Sequence, residues 1–290
     1  MIARTLPTRA RRTIAVLFVL LATFAMWSLW LEPSRIRVRR IELVLPGLPA
    51  EHDGVRIAVL TDLHVGSPHH GPGTLRGIVD AVNGESPDVA LLLGDFVITR
   101  VIGGTFVTPE EIATVLDGLR TPHGSFAVLG NHDWWLDARR VAAALEAADI
   151  TLLEDRSAAI DFGGTRLWFA GVSDLWEGAH DVEAALRDVP TDEPVIVFTH
   201  NPDIFPALPQ RVTLTLAGHT HGGQVNLPVI GRPVVPSRYG QRYAAGHVVE
   251  DGRHLFVSVG TGTSILPVRF RVPPEIVILT LRAEAVTDPE

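Results

Sequence analysis

The chain of 290 residues contains neither cysteine nor lysine. Without thiols it cannot form disulfides, zinc–cysteine sites, iron–sulfur clusters or a cysteine nucleophile, so any metal must be held by His, Asp, Glu or Asn. The absence of disulfides leaves the redox compartment open. Low-complexity segments are also absent, and apolar residues make up 46% of the chain. This composition predicts a compact fold rather than disorder.

Positive charge is concentrated near the N-terminus. Residues 1–40 hold eight arginines and one acid, Glu32, which gives them a net charge of +7. Because the whole chain carries −8, residues 41–290 carry −15. Affinity for nucleic acids depends on neutralising phosphates with basic side chains. The acidic charge of the body therefore argues against a nucleic-acid partner.

The longest apolar run, IAVLFVLLATFAMWSLWL, extends from Ile14 to Leu31 without a charged residue. At about 1.5 Å per residue, it nearly covers a hydrocarbon core of about 30 Å. Trp27 and Trp30 lie near one end, where aromatic rings favour the membrane interface. We predict a single-pass N-terminal anchor in the cell membrane. The alternative is a cleaved signal peptide, whose apolar region is usually shorter and ends at small residues.

Charge does not fix the side of the membrane, because four arginines precede the apolar run and four follow it. RARRTIAV is only weakly similar to a twin-arginine export signal, and we favour the extracytoplasmic side slightly. Residues 1–45 are predicted to form the anchor and an arginine-rich connector, and residues 46–290 one catalytic domain. The connector is expected to be extended, unless IRVRRIELVL pairs as a strand. Deleting residues 1–40 should then leave hydrolysis of a small soluble substrate unchanged.

A repeated pattern follows in the body of the chain, where short apolar runs end in polar residues that can bind metals. The segments are VRIAVLTDLH, VALLLGD, SFAVLGNHD, PVIVFTHNPD and LTLAGHTH. Their apolar parts are typical of buried strands, and segments with helical spacing lie between the early ones. Strand signals dominate later, so we predict an α/β fold with mixed sheets. In such folds, sites lie beyond the carboxyl ends of strands.

The segment LAGHTHGGQ places His219 and His221 one residue apart on a short glycine-rich stretch. Residues i and i+2 of an extended chain project to the same face, so we expect both imidazoles to serve one metal cluster. Gly218, Gly222 and Gly223 would let the backbone approach that cluster and then turn away.

Singly, each of these polar residues is explained by a turn or a helix cap. Together they offer carboxylate, amide and imidazole donors, which suit hard or borderline divalent cations. Two such cations about 3.5–4 Å apart require a shared anionic ligand. Asp95, in LLLGDF, is a carboxylate that can supply this bridge.

The order and types of these residues resemble the calcineurin-like metallophosphoesterases. The matching motifs are Asp62-Leu63-His64, Gly94-Asp95, Gly130-Asn131-His132-Asp133, His200 and Gly218-His219-Thr220-His221. The resemblance covers about residues 55 to 280. It implies an α/β fold, namely a four-layer α/β/β/α sandwich of two mixed sheets flanked by helices, here preceded by one transmembrane helix. THNPD, GHTHGGQ and the C-terminal segment resemble the membrane-associated bacterial phosphodiesterase branch, which is related to UDP-2,3-diacylglucosamine hydrolase-like enzymes.

The resemblance also implies two divalent metal ions, for which Mn, Fe and Zn are all suitable. One set of implied ligands is Asp62, His64, Asp95 and His221, and the other is Asp95, Asn131, His200 and His219. His132 resembles the catalytic histidine of the family, which assists the leaving oxygen or stabilises charge on the phosphoryl group. Asp133 would orient His132 or lie at a helix N-terminus. Where many members have Asp or Asn, this chain has Ile98 and Thr99, and no role is transferred to them.

The predicted function is metal-dependent hydrolysis of phosphoesters with a metal-bridging hydroxide as the nucleophile. We favour a membrane-tethered phosphodiesterase or pyrophosphatase that acts on lipid-linked or small diesters. A phosphomonoesterase, including a protein phosphatase, and a non-catalytic metal-binding scaffold are the alternatives. His132 argues against the scaffold, which has no need of a non-ligand histidine. Further candidate substrate contacts near the motifs are His69, His70, Arg232, Arg238 and Arg242.

Overall fold

A computed structural model describes residues 7–284 of the chain. The helices within this range are α1 (Thr8–Met26), α2 (Pro72–Gly84), α3 (Pro109–Leu116), α4 (Asn131–Glu146) and α5 (Val182–Leu186). The strands are β1 (Arg37–Leu45), β2 (Arg56–Leu60), β3 (Val89–Leu92), β4 (Ser125–Ala127), β5 (Ile150–Leu152), β6 (Arg156–Asp161), β7 (Arg166–Val172), β8 (Val195–Thr199), β9 (Leu214–Ala217), β10 (Gly246–Glu250), β11 (Arg253–Val257) and β12 (Glu275–Ala283).

These strands form two six-stranded sheets. The first has the order β1-β12-β2-β3-β4-β5, and only the β12–β2 pair in it is antiparallel. The second has the order β10-β11-β9-β8-β7-β6, with antiparallel pairs at both edges and parallel pairs between them. Both sheets are therefore mixed, as predicted.

Alternating side chains of the strands define the layers. In β2, Ile57 and Val59 pack between the sheets with Phe169 and Phe198 of the second sheet. The intervening residues Ala58 and Leu60 face the opposite way and pack against α2, α3 and α4. The outer face of the second sheet packs against α5 and the 3₁₀ turn of residues 202–207. This arrangement confirms the four-layer α/β/β/α sandwich.

The N-terminal apolar run forms one continuous helix, because the π-helical segment Trp27–Leu31 extends α1. The combined helix, Thr8–Leu31, has 24 residues, and its most apolar window of 18 residues has a mean hydropathy of 2.3, so it is long and apolar enough to cross a membrane. Its last turn contacts the rest of the chain. The Ser28 carbonyl accepts a hydrogen bond from the Arg269 N–H (2.9 Å), and the buried Glu32 carboxylate accepts one from the Val272 N–H (2.6 Å).

The connector after this helix is short. The alternative to an extended connector, a strand formed by IRVRRIELVL, is present. This strand, β1, pairs in parallel with β12, with Arg37 opposite Glu275 and Leu45 opposite Ala283. Only residues 32–36 separate the apolar helix from the first sheet. The apolar helix and the first sheet are thus joined almost directly.

Candidate metal centre

Both sheets deliver polar residues to the same place. The segments that follow β2, β3, β4, β8 and β9 carry all seven predicted metal ligands. Each of these side chains is at most 4% exposed: Asp62, His64, Asp95, Asn131, His200, His219 and His221. Parallel strands of one sheet end at a common edge, and the two sheets pack face to face, so five separate motifs of the sequence meet in one buried cluster.

Four of these residues form a first donor cluster. Potential ligand atoms of Asp62, His64, Asp95 and His221 all lie within 4.8 Å of one another. The Nε2 atoms of His64 and His221 are 3.1 Å apart, and His221 Nε2 is 3.2 Å from Asp62 Oδ1. This cluster coincides with the first predicted ligand set.

The remaining ligands form a second donor cluster around His200. Its Nε2 is 3.2 Å from Asn131 Oδ1 and 3.1 Å from His219 Nδ1. Asp95 Oδ2 lies 3.3 Å from His200 Nε2 and also 3.3 Å from His64 Nε2. Asp95 therefore stands between the two clusters, where the prediction places a bridging ligand.

The chemistry of the donors fits a cation in each cluster. The outer nitrogens of two histidines face backbone carbonyls: His64 Nδ1 is 3.2 Å from Val97 O, and His200 Nδ1 is 2.7 Å from Leu93 O. Such contacts direct Nε2, with its lone pair in the neutral ring, toward a metal. Asp62 Oδ1 is buried without a hydrogen-bond donor. Donor spacings of 3.1–3.3 Å also match neighbouring ligands on a cation with bonds of about 2.0–2.2 Å.

Electrostatics centre on the Asp95 carboxylate. Although burial opposes it, the charge on Asp95 and a hydrogen bond to it raise the pKa of His200 to about 10. Burial likewise opposes ionisation of Asp95, but His200, His132 and His64 hold the pKa of Asp95 well below its usual value. The protein therefore keeps an ionised carboxylate between the clusters with protonated His200 beside it. Metal binding is expected to release that proton.

Five of the seven candidate ligands have left-handed backbone conformations, which are uncommon for residues other than glycine. Their φ angles are 50° at Asp62, 40° at His64, 58° at Asp95, 68° at His219 and 50° at His221. The predicted extended conformation of the His219–His221 segment is therefore wrong. The tight turn sends His219 to the second cluster and His221 to the first. Backbone strain of this kind is typical of functional sites.

Glycine is required where the segment that follows β9 crosses the one that follows β2. A Cβ atom at Gly218 would lie 1.9 Å from Thr61 Oγ1 and 2.7 Å from Asp62 Oδ2. The predicted close approach of the backbone is thus present at this position. It allows the His219 N–H to donate to Asp62 Oδ2 over 3.0 Å.

His132 lies beside the donor clusters at the N-terminal end of α4 and borders the open cavity. Its Nδ1 is 2.9 Å from Thr99 Oγ1, its Nε2 is 3.4 Å from Ser264 Oγ, and its ring lies 4.6 Å from that of His64. Burial lowers the pKa of His132 to about 4. The ring is therefore neutral at neutral pH.

The structure assigns contacts to two neighbours of His132 whose roles the sequence left unassigned or open. Thr99, to which no role was assigned, is its hydrogen-bond partner. Asp133 instead accepts backbone N–H groups, including those of Asp95 (2.8 Å) and Gly130 (2.9 Å), so its contacts match the helix N-terminal alternative. A hydroxyl four residues after Asp95 is too common a feature to identify Thr99 from sequence alone.

Four of the candidate ligands, Asp95, Asn131, His219 and His221, lie on the floor of a cavity of about 600 Å³. Its walls include Thr99, Arg100, Trp135, Trp176, Val234, Ser264 and Ile265. The five further candidate substrate contacts are not among its lining residues. They make other contacts, such as His70 with Thr261, Arg232 with the Gly222 carbonyl and Arg242 with Glu250. Arg100, which the sequence did not single out, is the arginine that lines the cavity.

Comparisons with known proteins agree with this geometry. The sequence matches the family model for calcineurin-like phosphoesterases over residues 55–223. It is 28% identical over 260 residues to the uncharacterized metallophosphoesterase YkuE of Bacillus subtilis, which covers 89% of both chains. It is 30% identical over 204 residues to phosphodiesterase YaeI of Escherichia coli, covering 68% of this chain and 71% of that protein. It is 26% identical over 311 aligned positions to UDP-2,3-diacylglucosamine pyrophosphatase LpxG of Chlamydia trachomatis, covering 88% and 92%.

Proposed function

The chain belongs to the calcineurin-like phosphoesterase family and is a metal-dependent phosphoester hydrolase, and from this premise we propose that it is a membrane-tethered phosphodiesterase or pyrophosphatase acting on lipid-linked or small diesters. The observation that carries the proposal is the pair of donor clusters that share Asp95 on the floor of a cavity, with His132 beside them. The Escherichia coli relative is named a phosphodiesterase and the Chlamydia relative a pyrophosphatase, which supports the diester and pyrophosphate classes.

We propose that each chain binds two divalent cations. The ligands are Asp62, His64, Asp95 and His221 for one, and Asp95, Asn131, His200 and His219 for the other. When bound, such cations offset the charge of the phosphoryl group and make water acidic enough to act as a nucleophile. The protein contributes a rigid donor set, since carbonyl groups orient His64 and His200 and the left-handed turns fix the backbone.

His132 is proposed to serve the leaving group. When Thr99 Oγ1 donates to Nδ1, the neutral ring holds its proton at Nε2, on the side toward Ser264 and the cavity. From there it can donate to the departing oxygen or to an oxygen on phosphorus. Thr99 can equally accept from Nδ1, so its hydroxyl can follow the change in protonation of the ring.

The walls of the cavity support a diester over a monoester. Trp135 and Trp176 are both half-exposed and border the cavity, and the Trp176 ring lies 4.4 Å from that of His219. These rings offer contact area to a second substituent on phosphorus, which a monoester lacks. Arg100 adds a guanidinium to the lining.

Contacts at the base of the N-terminal helix support a retained anchor over a cleaved signal peptide. Ser28 and Glu32, at the end of the apolar run, are 2% and 4% exposed and hydrogen-bonded to Arg269 and Val272. Cleavage after the run would remove these partners from buried groups, which costs about 1–3 kcal/mol for each unsatisfied group.

The test is a metal-supplemented assay of the purified full chain. We expect elemental analysis to find two ions per chain after reconstitution with Mn²⁺, Fe²⁺ or Zn²⁺, and bis(4-nitrophenyl) phosphate to be hydrolysed faster than 4-nitrophenyl phosphate. Asp95→Asn should weaken binding of both ions together. One ion per chain would contradict the two-metal site, and faster hydrolysis of the monoester would favour a phosphomonoesterase.

A further inference from the structure

Six exposed aliphatic side chains lie on three loops, each of which also contributes residues to the lining of the metal cavity. We call them the apolar rim: Ile102, Val229, Ile230, Val234, Ile265 and Leu266. Each is at least half exposed, and Val234 and Ile265 also line the cavity. Single exposed aliphatic residues are ordinary, but a cluster beside a cavity marks an interaction surface.

Backbone hydrogen bonds join the three loops into one surface. The Ile102 N–H donates to the Ile265 carbonyl (3.0 Å), which links the first loop to the third. The Asn226 N–H donates to the Phe270 carbonyl (2.9 Å), at the base of the turn that carries Val229 and Ile230. The rim residues are therefore held at fixed positions relative to one another.

Two rim residues have left-handed backbone conformations that their packing in the fold does not explain. Val229 and Ile265 have φ angles of 70° and 61°, in the left-handed region that β-branched residues avoid. Val229 is 107% exposed and Ile265, at the edge of the cavity, is 67% exposed, so packing against the rest of the chain does little to offset the strain. Asparagine or glycine would adopt these turns more easily. Apolar side chains at strained, exposed tips suggest a role in contacts outside the chain.

The same region holds the base of the anchor helix. The rings of Phe24 and Phe270 are 4.9 Å apart, and Ser28 and Glu32 are hydrogen-bonded to Arg269 and Val272. Phe24 lies seven residues before the end of the apolar helix, or about 10 Å along its axis. The segment of residues 264–272 thus joins the rim to the part of the helix that would cross the membrane surface.

We propose that the apolar rim inserts into the bilayer that the anchor helix spans, so that the metal cavity opens onto the membrane and takes amphiphilic phosphodiesters directly from it. The inference rests on the membrane tether of the proposed function. A lipid bilayer is the occupant that fits, because it already surrounds the adjoining helix and can cover the rim without another partner. Exposed Arg35, Arg100 and Arg271 lie in adjoining segments and suit anionic head groups.

Insertion is tested by site-specific labelling, which the absence of cysteine makes direct. Ile230→Cys of the full chain is labelled with an environment-sensitive fluorophore and reconstituted into phosphatidylcholine vesicles containing phosphatidylglycerol and acyl-chain nitroxide lipids. The control is Val44→Cys. Val44 is 55% exposed, and it lies seven residues along β1 from Arg37, the end of the strand that follows the apolar helix, or about 23 Å away. We expect a blue shift and quenching at position 230 but not at position 44.

Equal emission at the two positions would refute insertion. The labelled position also tests a second copy of the chain as the occupant. Cross-linking of Ile230→Cys into dimers by a bismaleimide in detergent, with no response to the lipid quencher, would show that another chain covers the rim. Neither readout requires enzymatic activity, so they stand even if the proposed function fails.

Entry of substrate from the membrane is tested with the variant Val229→Ser/Ile230→Ser, neither of whose residues lines the cavity. Hexadecyl 4-nitrophenyl phosphate in vesicles is compared with soluble bis(4-nitrophenyl) phosphate. We expect the rate on the vesicle-bound substrate to fall about tenfold relative to the rate on the soluble one. A factor of ten corresponds to about 1.4 kcal/mol, and burying two aliphatic side chains in the bilayer contributes more than that. Val44→Ser/Val249→Ser, which alters two exposed valines away from the rim, should change neither rate.

An equal loss on both substrates would show that the rim supports the fold of the cavity, and no loss on either would contradict entry from the bilayer. Failure of the unaltered chain to hydrolyse the soluble diester would instead count against the proposed function.

Discussion

The substitution Gly218→Ala tests whether the metal centre depends on contact between two segments that are distant in sequence. The added Cβ would lie 1.9 Å from Thr61 Oγ1, 2.7 Å from Asp62 Oδ2 and 2.9 Å from Thr61 Cβ. The nearest of these atoms is part of a short buried side chain, so it cannot move aside as the end of a long side chain would. The segment after β9 must therefore shift away from the segment after β2.

The expected cost has two parts. Overpacking in a well-packed interior destabilises by about 1–3 kcal/mol. The shift also lengthens the 3.0 Å hydrogen bond from the His219 N–H to the Asp62 carboxylate, and loss of a hydrogen bond to a charged group costs about 1.5–3 kcal/mol. Together, we expect the free energy of unfolding to fall by about 2.5–6 kcal/mol, and metal affinity to fall about 10–100-fold because two ligands are displaced.

The assay combines thermal unfolding with titration of Mn²⁺ on the full chain in detergent. Gly77→Ala is the matched control, because Gly77 lies in α2 with no atom within 4 Å of an added Cβ. It should stabilise by about 0.5–1 kcal/mol through helix propensity. Adding Thr61→Ala to Gly218→Ala removes the closest contact, so the double variant should lose less than the sum of the singles. Unchanged stability and metal affinity in Gly218→Ala would refute the reasoning.

Three further predictions concern single side chains. His132→Ala should retain both metal ions by elemental analysis but lose about 10²–10⁴-fold in turnover, as for a missing general acid; loss of metal would make His132 a ligand. Thr99→Val should lower kcat about 10–100-fold with KM little changed and shift the pH–rate profile, whereas an unaltered profile would show that Thr99 does not position His132. Burial raises the pKa of Glu154 to about 8, so ionisation of this group destabilises the fold as pH rises from the pKa of the unfolded chain toward 8. Glu154→Gln should therefore raise the melting temperature at about pH 9 and not at about pH 5. An equal effect at both pH values would exclude ionisation as the cause.

The metal donors could be predicted from sequence because each one directly follows an apolar strand. Local order along the chain fixes that relation. Parallel pairing of β2 and β3 then brings Asp62 and Asp95 to one edge of the first sheet, and packing of the second sheet against it brings His200 to Asp95. The backbone conformation of His219 and His221 could not be predicted, since both left-handed turns depend on contact with the Thr61–Asp62 segment. Side chains alternate between two faces only within a regular strand, and β9 ends at Ala217, before either histidine.

Residues whose roles depend on distant partners were also missed. Thr99 is identified only by the position of His132, 33 residues later. Arg269 belongs to a segment noted for its family resemblance, yet nothing in that segment indicates that its side chain is fully buried. Its guanidinium donates to the carbonyls of Val259, Gly260 and Gly262 (2.8, 3.3 and 2.6 Å), which requires the folded loop.

This loop changes what is expected when the anchor is removed. A Cβ at Gly260 would lie 2.5 Å from Asp62 Cβ, and one at Gly262 would lie 2.7 Å from His64 Cβ, so the loop packs directly on two candidate ligands. The sequence alone suggested that deleting residues 1–40 would spare a soluble diester. The structure instead makes Glu32 a partner of the same loop, through the Val272 N–H.

The deletion also removes the first four residues of β1, which pair with β12. We now expect it to lower hydrolysis of bis(4-nitrophenyl) phosphate as well as that of the vesicle-bound substrate. Glu32→Gln in the full chain separates the two causes, because it keeps the apolar helix and β1. It weakens the hydrogen bonds that the Glu32 carboxylate accepts from the Val272 N–H of the loop and from Trp27 Nε1 within the helix, and one hydrogen bond to a charged group contributes about 1.5–3 kcal/mol. Reduced metal affinity in Glu32→Gln, measured by Mn²⁺ titration, would show that the loop transmits the effect. Full activity of the deletion on the soluble diester would show that the anchor base and the metal centre are independent.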